Sequence, residues 1–436
     1  MANRYAWLVI AGVFLAGCKK NDNKGNTEED KIKTDVLTQT RDNYLWYNQI
    51  PESFNAQAYD GPKEIMTAIR NYSIEPGFSQ PVDHYSFAIK KADWDKISTG
   101  QATDFGLNVF FMSDGDLRVR AVEAESPAGI EGIRRGWRIT KIAGNSNIVI
   151  SNADFISDKV YNSTSTAFTF ELPDGSTKDI TLTATTYQEQ PLYLDTVYSE
   201  AGKKTAYIVF NSFLGDVQAV TNSFEPLFAE FANENVTDIV VDLRYNGGGY
   251  VSLQQTLANY IVKSSANGSI MMTEQFNDKH TGDNVTTMFQ KRGTLNINNV
   301  YFIVSDNTAS ASELLINNLK PYMSVKLVGS KTYGKPVGFF GIQVSDWLIF
   351  PVSFRSVNGM GQGNYFDGID VDKETADGLD KDWGDTNEAA LAAVLSHIHT
   401  GSFGYIPVSP SLNSTLGGDV KKINRQLNKS FMGAVN

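Results

Sequence analysis

Three short stretches of this chain hold residue types that could do chemistry together. The first is "SDNTASASELLINNLK", residues 305–320, where a strand-like run, "NVYFIVSD", turns into a helical pattern with Leu314, Leu315 and Leu319 on one face. Ser310-x-x-Glu313 fits a capping box, in which serine and glutamate satisfy the first N–H groups of a helix. Ser310 also fits a nucleophile at the positive end of a helix dipole. A serine hydroxyl is a weak nucleophile and needs a base. His84, His280, His397 and His399 stand in contexts that mark none of them as that base. A lysine serves if burial lowers its pKa enough to leave a neutral amine near pH 7. Lys335, in "VGSKTYGKPVG", follows the apolar run "VKLVG" and has glycines nearby that permit close approach. Lys320, Lys326 and Lys331 read as surface lysines, and the spacing alone leaves that reading open for Lys335 too. The third stretch is "DLRYNGGGY", residues 242–250. Its glycines let backbone N–H groups approach a developing oxyanion without a side chain in the way. A tight strand-to-helix turn explains the same glycines. A phosphate loop fits poorly, because no Gly-Lys-Ser/Thr follows and Ser252 stands where a dinucleotide motif has its last glycine.

These stretches need elements to hold them. From about 200 to 400, strand patterns alternate with helical ones: "TAYIVF", then "VTNSFEPLFAEFANE", then the near-continuous apolar run "VTDIVVDLR" of a buried parallel strand, then "YVSLQQTLANYIV". That rhythm predicts an α/β core over 189–400. Residues 99–188 are short alternating runs separated by turn signals such as Asp114-Gly115 and Asp174-Gly175, which predicts a β-rich domain. Residues 34–98 carry helical periodicity, with Ile65 and Ile69 on one face, and predict a small helical domain without visible chemistry. Residues 401–436 show little periodicity and predict a surface extension.

The chain has 436 residues, 41% hydrophobic and 20% charged, enough for a sizeable core. Its net charge of −11 argues against a nucleic-acid partner, which requires a basic surface. One cysteine and four histidines leave no material for a Cys/His metal cluster, so no metal and no cofactor is expected. The start, "MANRYAWLVIAGVFLAGCKK", has a basic residue and then a 13-residue uncharged run, Tyr5 to Gly17, too short to span a bilayer. This predicts a signal peptide over 1–17. Leu15-Ala16-Gly17-Cys18 resembles the lipobox of bacterial lipoproteins, which implies lipidation of Cys18 and anchoring to a membrane. The polar residues 18–33 then predict a flexible tether. Lys19 and Lys20 behind the cysteine favour the outer membrane, facing the periplasm or the cell surface.

Read together, residues 99–395 resemble the C-terminal processing peptidases, or tail-specific proteases. "FGLNV" with "SPAGIEGIRRGWRITKIAG" is similar to the PDZ domain of that family, where a strand accepts a substrate's C-terminal tail by β-augmentation. "DLRYNGGG", "TASASE" and "KTYGK" resemble the family's glycine, nucleophile and base segments, and "YFDGIDVD" with "GDTNEAALAAVL" resembles the segments that close the core. The resemblance implies a ClpP/crotonase-like α/β peptidase core with an inserted β-rich PDZ-like domain and a small N-terminal helical domain. It implies a serine endopeptidase with Ser310 as nucleophile and Lys335 as general base. Amides of Ala311 and of Gly247 or Gly248 would form the oxyanion hole, and Phe105, Gly106, Leu107 and Asn108 would bind the peptide. Many members carry a glutamine four residues after the lysine; Phe339 stands there instead. Glu313 and Gln343 are the alternative orienters of the base. The other function class that the sequence leaves open is a lipid-anchored, peptide-binding scaffold without turnover, which Phe339 favours. The partners expected are protein or peptide substrates.

Overall fold

The computed structural model describes residues 27–404 and 418–428, together with the backbone strand Gly433–Val435. The signal peptide expected over 1–17 and Cys18 lie outside the described residues. The core is a six-stranded sheet in the order Lys373–Glu374, Ser324–Gly329, Asn299–Val304, Asp238–Asp242, Lys203–Phe210 and Leu192–Glu200. All pairs are parallel except the last, which is antiparallel. Successive side chains of a strand point to opposite faces, and both faces are covered here. Ile239 and Val241 pack with Phe224, Leu257 and Leu315 from helices Val217–Asn233, Val251–Ile261 and Ala311–Leu319. Val240 packs on the other face with Leu391, Val394 and Ile398 from helix Ala389–Thr400. Double coverage explains why "DIVVD" reads as an unbroken apolar run.

The β-rich unit is a five-stranded antiparallel sheet in the order Leu107–Ser113, Asp116–Val122, Arg138–Ile142, Ser165–Glu171, Thr177–Thr183. A ribbon of Gln101–Asp104 with Thr185–Gln188 joins it to the core. These two layers bear out an α/β core with a β-rich insert.

Three expectations are corrected. The tether does not run to residue 33, because a helix spans Glu28–Asn43. Thr27 caps it: its Oγ1 accepts from Asp30 N–H (3.1 Å) and the Asp30 carboxylate accepts from Thr27 N–H (3.0 Å). Nor is 34–98 a separate helical domain. Strand Phe87–Lys90 pairs with Trp347–Phe350, and Val36, Tyr44 and Ile69 share one apolar cluster with Phe339 and Phe350. Its aromatic residues were the sign of a face that needs a partner from the core. Finally, the surface extension expected over 401–436 includes a packed element: helix Gly418–Leu427 docks on the β-rich unit, burying Val420 and Leu427.

Candidate active site

Ser310 sits at the N-cap of helix Ala311–Leu319 with φ 58° and ψ −111°. A residue with a side chain holds such a backbone only where its surroundings enforce it, at a cost of about 1–3 kcal/mol. The enforcement comes from the glycine loop. Thr308 Oγ1 donates to Leu243 O (2.8 Å), Ala309 N–H to Asn246 O (3.1 Å), Ser312 Oγ to Asn246 O (3.0 Å), and Ser305 Oγ to Arg244 O. Ser310 itself is fully buried, and among the described residues its Oγ has no hydrogen-bond partner. Buried polar atoms are paired as a rule, so an orphaned hydroxyl on a strained turn calls for a functional explanation. No histidine reaches it.

Glu313, on the first turn of that helix, organises the second half of the site. Its Oε2 accepts from Ser310 N–H (2.8 Å) and from Lys335 N–H (2.8 Å). Its Oε1 accepts from Gly334 N–H (2.7 Å) and Thr332 Oγ1 (2.5 Å). One carboxylate thus ties the backbone of the serine loop to the backbone of the lysine loop, 22 positions away. Burial pushes the Glu313 pKa up, and the four donors pull it back. The glutamate half of the predicted capping box forms, and Glu313 grips Lys335 through the main chain.

Lys335 is fully buried, with Nζ 3.7 Å from the Phe339 ring centroid and 5.2 Å from that of Tyr85. Burial pushes its pKa well below the ordinary lysine value; nearby Asp83 and Glu313 oppose the shift, and Arg70 adds to it. Phe339 is wedged between Phe87 and Phe350, with ring centroids 5.5 and 5.4 Å away. It therefore fills the place beside the lysine with an aromatic face. Gln343 is not part of this site. It is exposed, and its Nε2 donates to Ser345 O (3.1 Å). Val337–Gly338 and Ile342–Val344 belong to different sheets, so no single strand carries Phe339 and Gln343 on one face and Gln343 cannot orient the lysine as expected.

The glycine loop takes conformations that other residues avoid: Gly248 has φ +108° and Gly249 +138°. A Cβ on Gly249 would lie 2.2 Å from the Phe213 carbonyl carbon. Gly248 N–H donates to Asn246 Oδ1 (2.9 Å), which removes it from the oxyanion candidates. The amides of Gly247 and Ala311 donate to no protein acceptor among the described residues.

Residues 204–372 match peptidase family S41. A protein of Staphylococcus aureus (strain bovine RF122 / ET3-1) named as a CtpA-like serine protease is 26% identical over 278 residues, 63% of this chain and 53% of that protein. A like-named protein of Staphylococcus epidermidis is 22% identical over 333 residues, 76% of this chain and 62% of that protein. The chain spans about half the length of the first of these relatives. A crystal structure from Bacteroides fragilis NCTC 9343, named as an S41 protease, superposes with a TM-score of 0.69 at 21% identity, covering 83% of this chain and 96% of that one. At that identity the likeness is one of fold.

A cleft of ≈ 270 Å³ joins the β-rich unit to the α/β core, lined by Gly106, Leu107, Asn108, Glu123, Asn211 and Gly247. Three of the four expected peptide-binding residues therefore face the glycine loop. Phe105 does not; it lies in the core of the β-rich unit, edge-on to Phe168 with centroids 5.9 Å apart. Gly106 N–H is taken by Asp104 Oδ1 (2.7 Å).

Sequence reasoning missed two sets of residues. Arg70, Asp83 and Tyr85 reach the lysine pocket from a region assigned no chemistry; no local signal marks them. The second set is an ionic cluster behind the glycine loop. Arg244 meets both oxygens of Asp242 and both of Glu388 (each Glu388 contact 3.0 Å), and its Nη1 reaches Asp377 (3.0 Å). Asp377 also holds Arg135 of the β-rich unit (2.6 Å). The "DLR" of the glycine segment was the available clue.

Proposed function

We propose that this chain is a serine endopeptidase acting on exported proteins or peptides through a Ser310–Lys335 dyad. The observation that carries the reading is the Glu313 carboxylate, which holds an unpartnered, buried serine and a buried lysine of depressed pKa on one frame. In this reading Ser310 Oγ attacks the peptide carbonyl while the neutral amine of Lys335 takes its proton. The amides of Gly247 and Ala311 receive the developing oxyanion, and the dipole of helix Ala311–Leu319 favours it. The tetrahedral intermediate collapses to an acyl-enzyme, and the leaving amine departs with the proton carried by Lys335. Water, deprotonated by Lys335, then hydrolyses the ester and restores the serine. The β-rich unit, PDZ-like in this reading, presents the substrate's tail to the cleft beside Gly106–Asn108. The Leu15-Ala16-Gly17-Cys18 motif supports anchoring by lipid on Cys18 at the outer membrane. The scaffold alternative drew on Phe339, whose place against Lys335 now has a packing reason. The test is incubation of the chain and its Ser310→Ala variant with an unfolded protein, with fragments read by mass spectrometry. The parent should cleave, and the variant should lose at least about 10⁴-fold in rate. Equal cleavage by both would overturn the assignment.

A further inference from the structure

Helix Gly418–Leu427 and strand Gly433–Val435 each lie along a backbone edge on which an extended peptide would dock. Strand Leu107–Ser113 is an edge strand of the five-stranded sheet, so its outer N–H and C=O groups have no strand neighbour. Helix Gly418–Leu427 lies against it and beside the short helix Ala153–Ser157. Asn424, buried in that contact, takes the bonds that an added strand would take. Phe111 N–H donates to Asn424 Oδ1 (2.8 Å), and Asn424 Nδ2 donates to Phe111 O (2.8 Å). An asparagine side chain is an amide, and here it stands in for one peptide unit of a paired strand.

Asn428 and strand Gly433–Val435 stand beside the active-site loops. Asn428 Nδ2 donates to Asn307 Oδ1 (2.7 Å), three positions before Ser310, and Asn428 Oδ1 accepts from Arg120 (3.1 Å). Strand Gly433–Val435 pairs in parallel with the glycine strand Gly248–Tyr250, in the register Gly248 to Gly433, Gly249 to Ala434 and Tyr250 to Val435. It also lies beside Val337–Gly338, the strand that leads away from Lys335. Its other neighbours leave the glycine strand only this free edge, because Phe213 already pairs with Gly249 on the opposite side.

We propose that helix Gly418–Leu427 and strand Gly433–Val435 together are a tethered competitor of substrate. The helix occupies the edge of the β-rich unit, the strand occupies the edge of the glycine loop, and an incoming extended peptide with an apolar tail must displace both. This rests on the peptidase reading above. The attachment is light enough to be displaced, since the helix buries only Val420, Asn424 and Leu427.

The experiment compares the full chain with two full-chain variants, Asn424→Ala and Leu427→Asp. It measures kcat/KM on an unfolded protein and the anisotropy of a fluorescent peptide ending in an apolar tail. A free peptide of residues 418–436 serves as the inhibitor, and thermal unfolding checks that the variants are folded. Both variants should cleave about tenfold faster than the parent and bind the fluorescent peptide more tightly, and the free peptide should return them to the parent's rate. Cleavage at equal or lower rates by a folded Asn424→Ala variant, with no inhibition by the free peptide, would overturn the inference and leave the peptidase reading standing. No cleavage by any chain would sink the peptidase reading instead. Tighter peptide binding by the variants would in that case still support displacement, and equal binding would overturn it.

Discussion

Arg244 and Lys335 are both fully buried cations on neighbouring loops, yet their environments push them in opposite directions. For each, burial works against the charged form. Arg244 overcomes it because Asp242, Glu388 and Asp377 sit in direct contact with its planar fork, and its pKa rises well above the ordinary value. Around Lys335 burial wins. Asp83 and Glu313 oppose the shift without overcoming it, and Glu313 has both oxygens engaged with Ser310, Thr332, Gly334 and the lysine's own backbone N–H. Its charge fixes the loops and is partly spent there. Burial by itself therefore does not set the direction of the shift; the charges in contact with the group do. Arg244 welds the end of a core strand to the N-cap of helix Ala389–Thr400, and through Asp377 to the β-rich unit. Lys335 has its charged form disfavoured by burial, as the proposed general base requires.

Substituting each cation breaks this comparison in a different way. Lys335→Ala should cost about 10²–10⁴-fold in kcat/KM, with the unfolding midpoint unchanged or raised, because a buried amine is removed. A loss below tenfold would make Lys335 an ordinary buried lysine. Arg244→Leu should do the reverse. It strands Asp242, Glu388 and Asp377 without their partner and should destabilise by about 3–5 kcal/mol, read from denaturant titration, with remaining activity following the folded fraction.

Acid separates the same two sites on one sample. Lys335 must be neutral to act, so activity should fall as pH drops through its lowered pKa. Burial alone would raise the Asp377 pKa, but Arg135 and Arg244 outweigh it and hold it down to about 2. A carboxylate lowered in the folded state contributes stability above its unfolded value, and that contribution is lost only as pH falls toward about 2. Activity should therefore disappear on acidification before the circular dichroism of the fold does; simultaneous loss would contradict the assignment. The smallest expected effect is that of Phe339→Leu. Removing the ring beneath Nζ weakens the protonated form, and the acid limb of kcat/KM should move to lower pH by less than about one unit. A shift to higher pH would mean that the ring acts through packing alone.

Much of the fold was legible because it is local. The unbroken run "VTDIVVDLR" marks a strand covered on both faces, and the glycines after it mark a loop that tolerates no Cβ. The residues between Thr27 and Lys33 misled because charge and polarity describe a tether and a capped helix start equally well; the reciprocal bonds of Thr27 and Asp30 decide between them. Gln343 misled because two residues four apart share a face only if one strand carries both.

The sequence by itself determined which groups were on hand: a serine before a helix, a glutamate three residues later, a lysine between glycines, and a strand-to-loop turn rich in glycine. Only the tertiary structure decided what those groups are. Tyr85 and Gly334, which meet in the lysine pocket, are 249 positions apart. Asn424 and Phe111, which close the edge of the β-rich unit, are 313 apart. Desolvation and edge pairing depend on everything packed around a group, and no window of neighbouring residues contains that information.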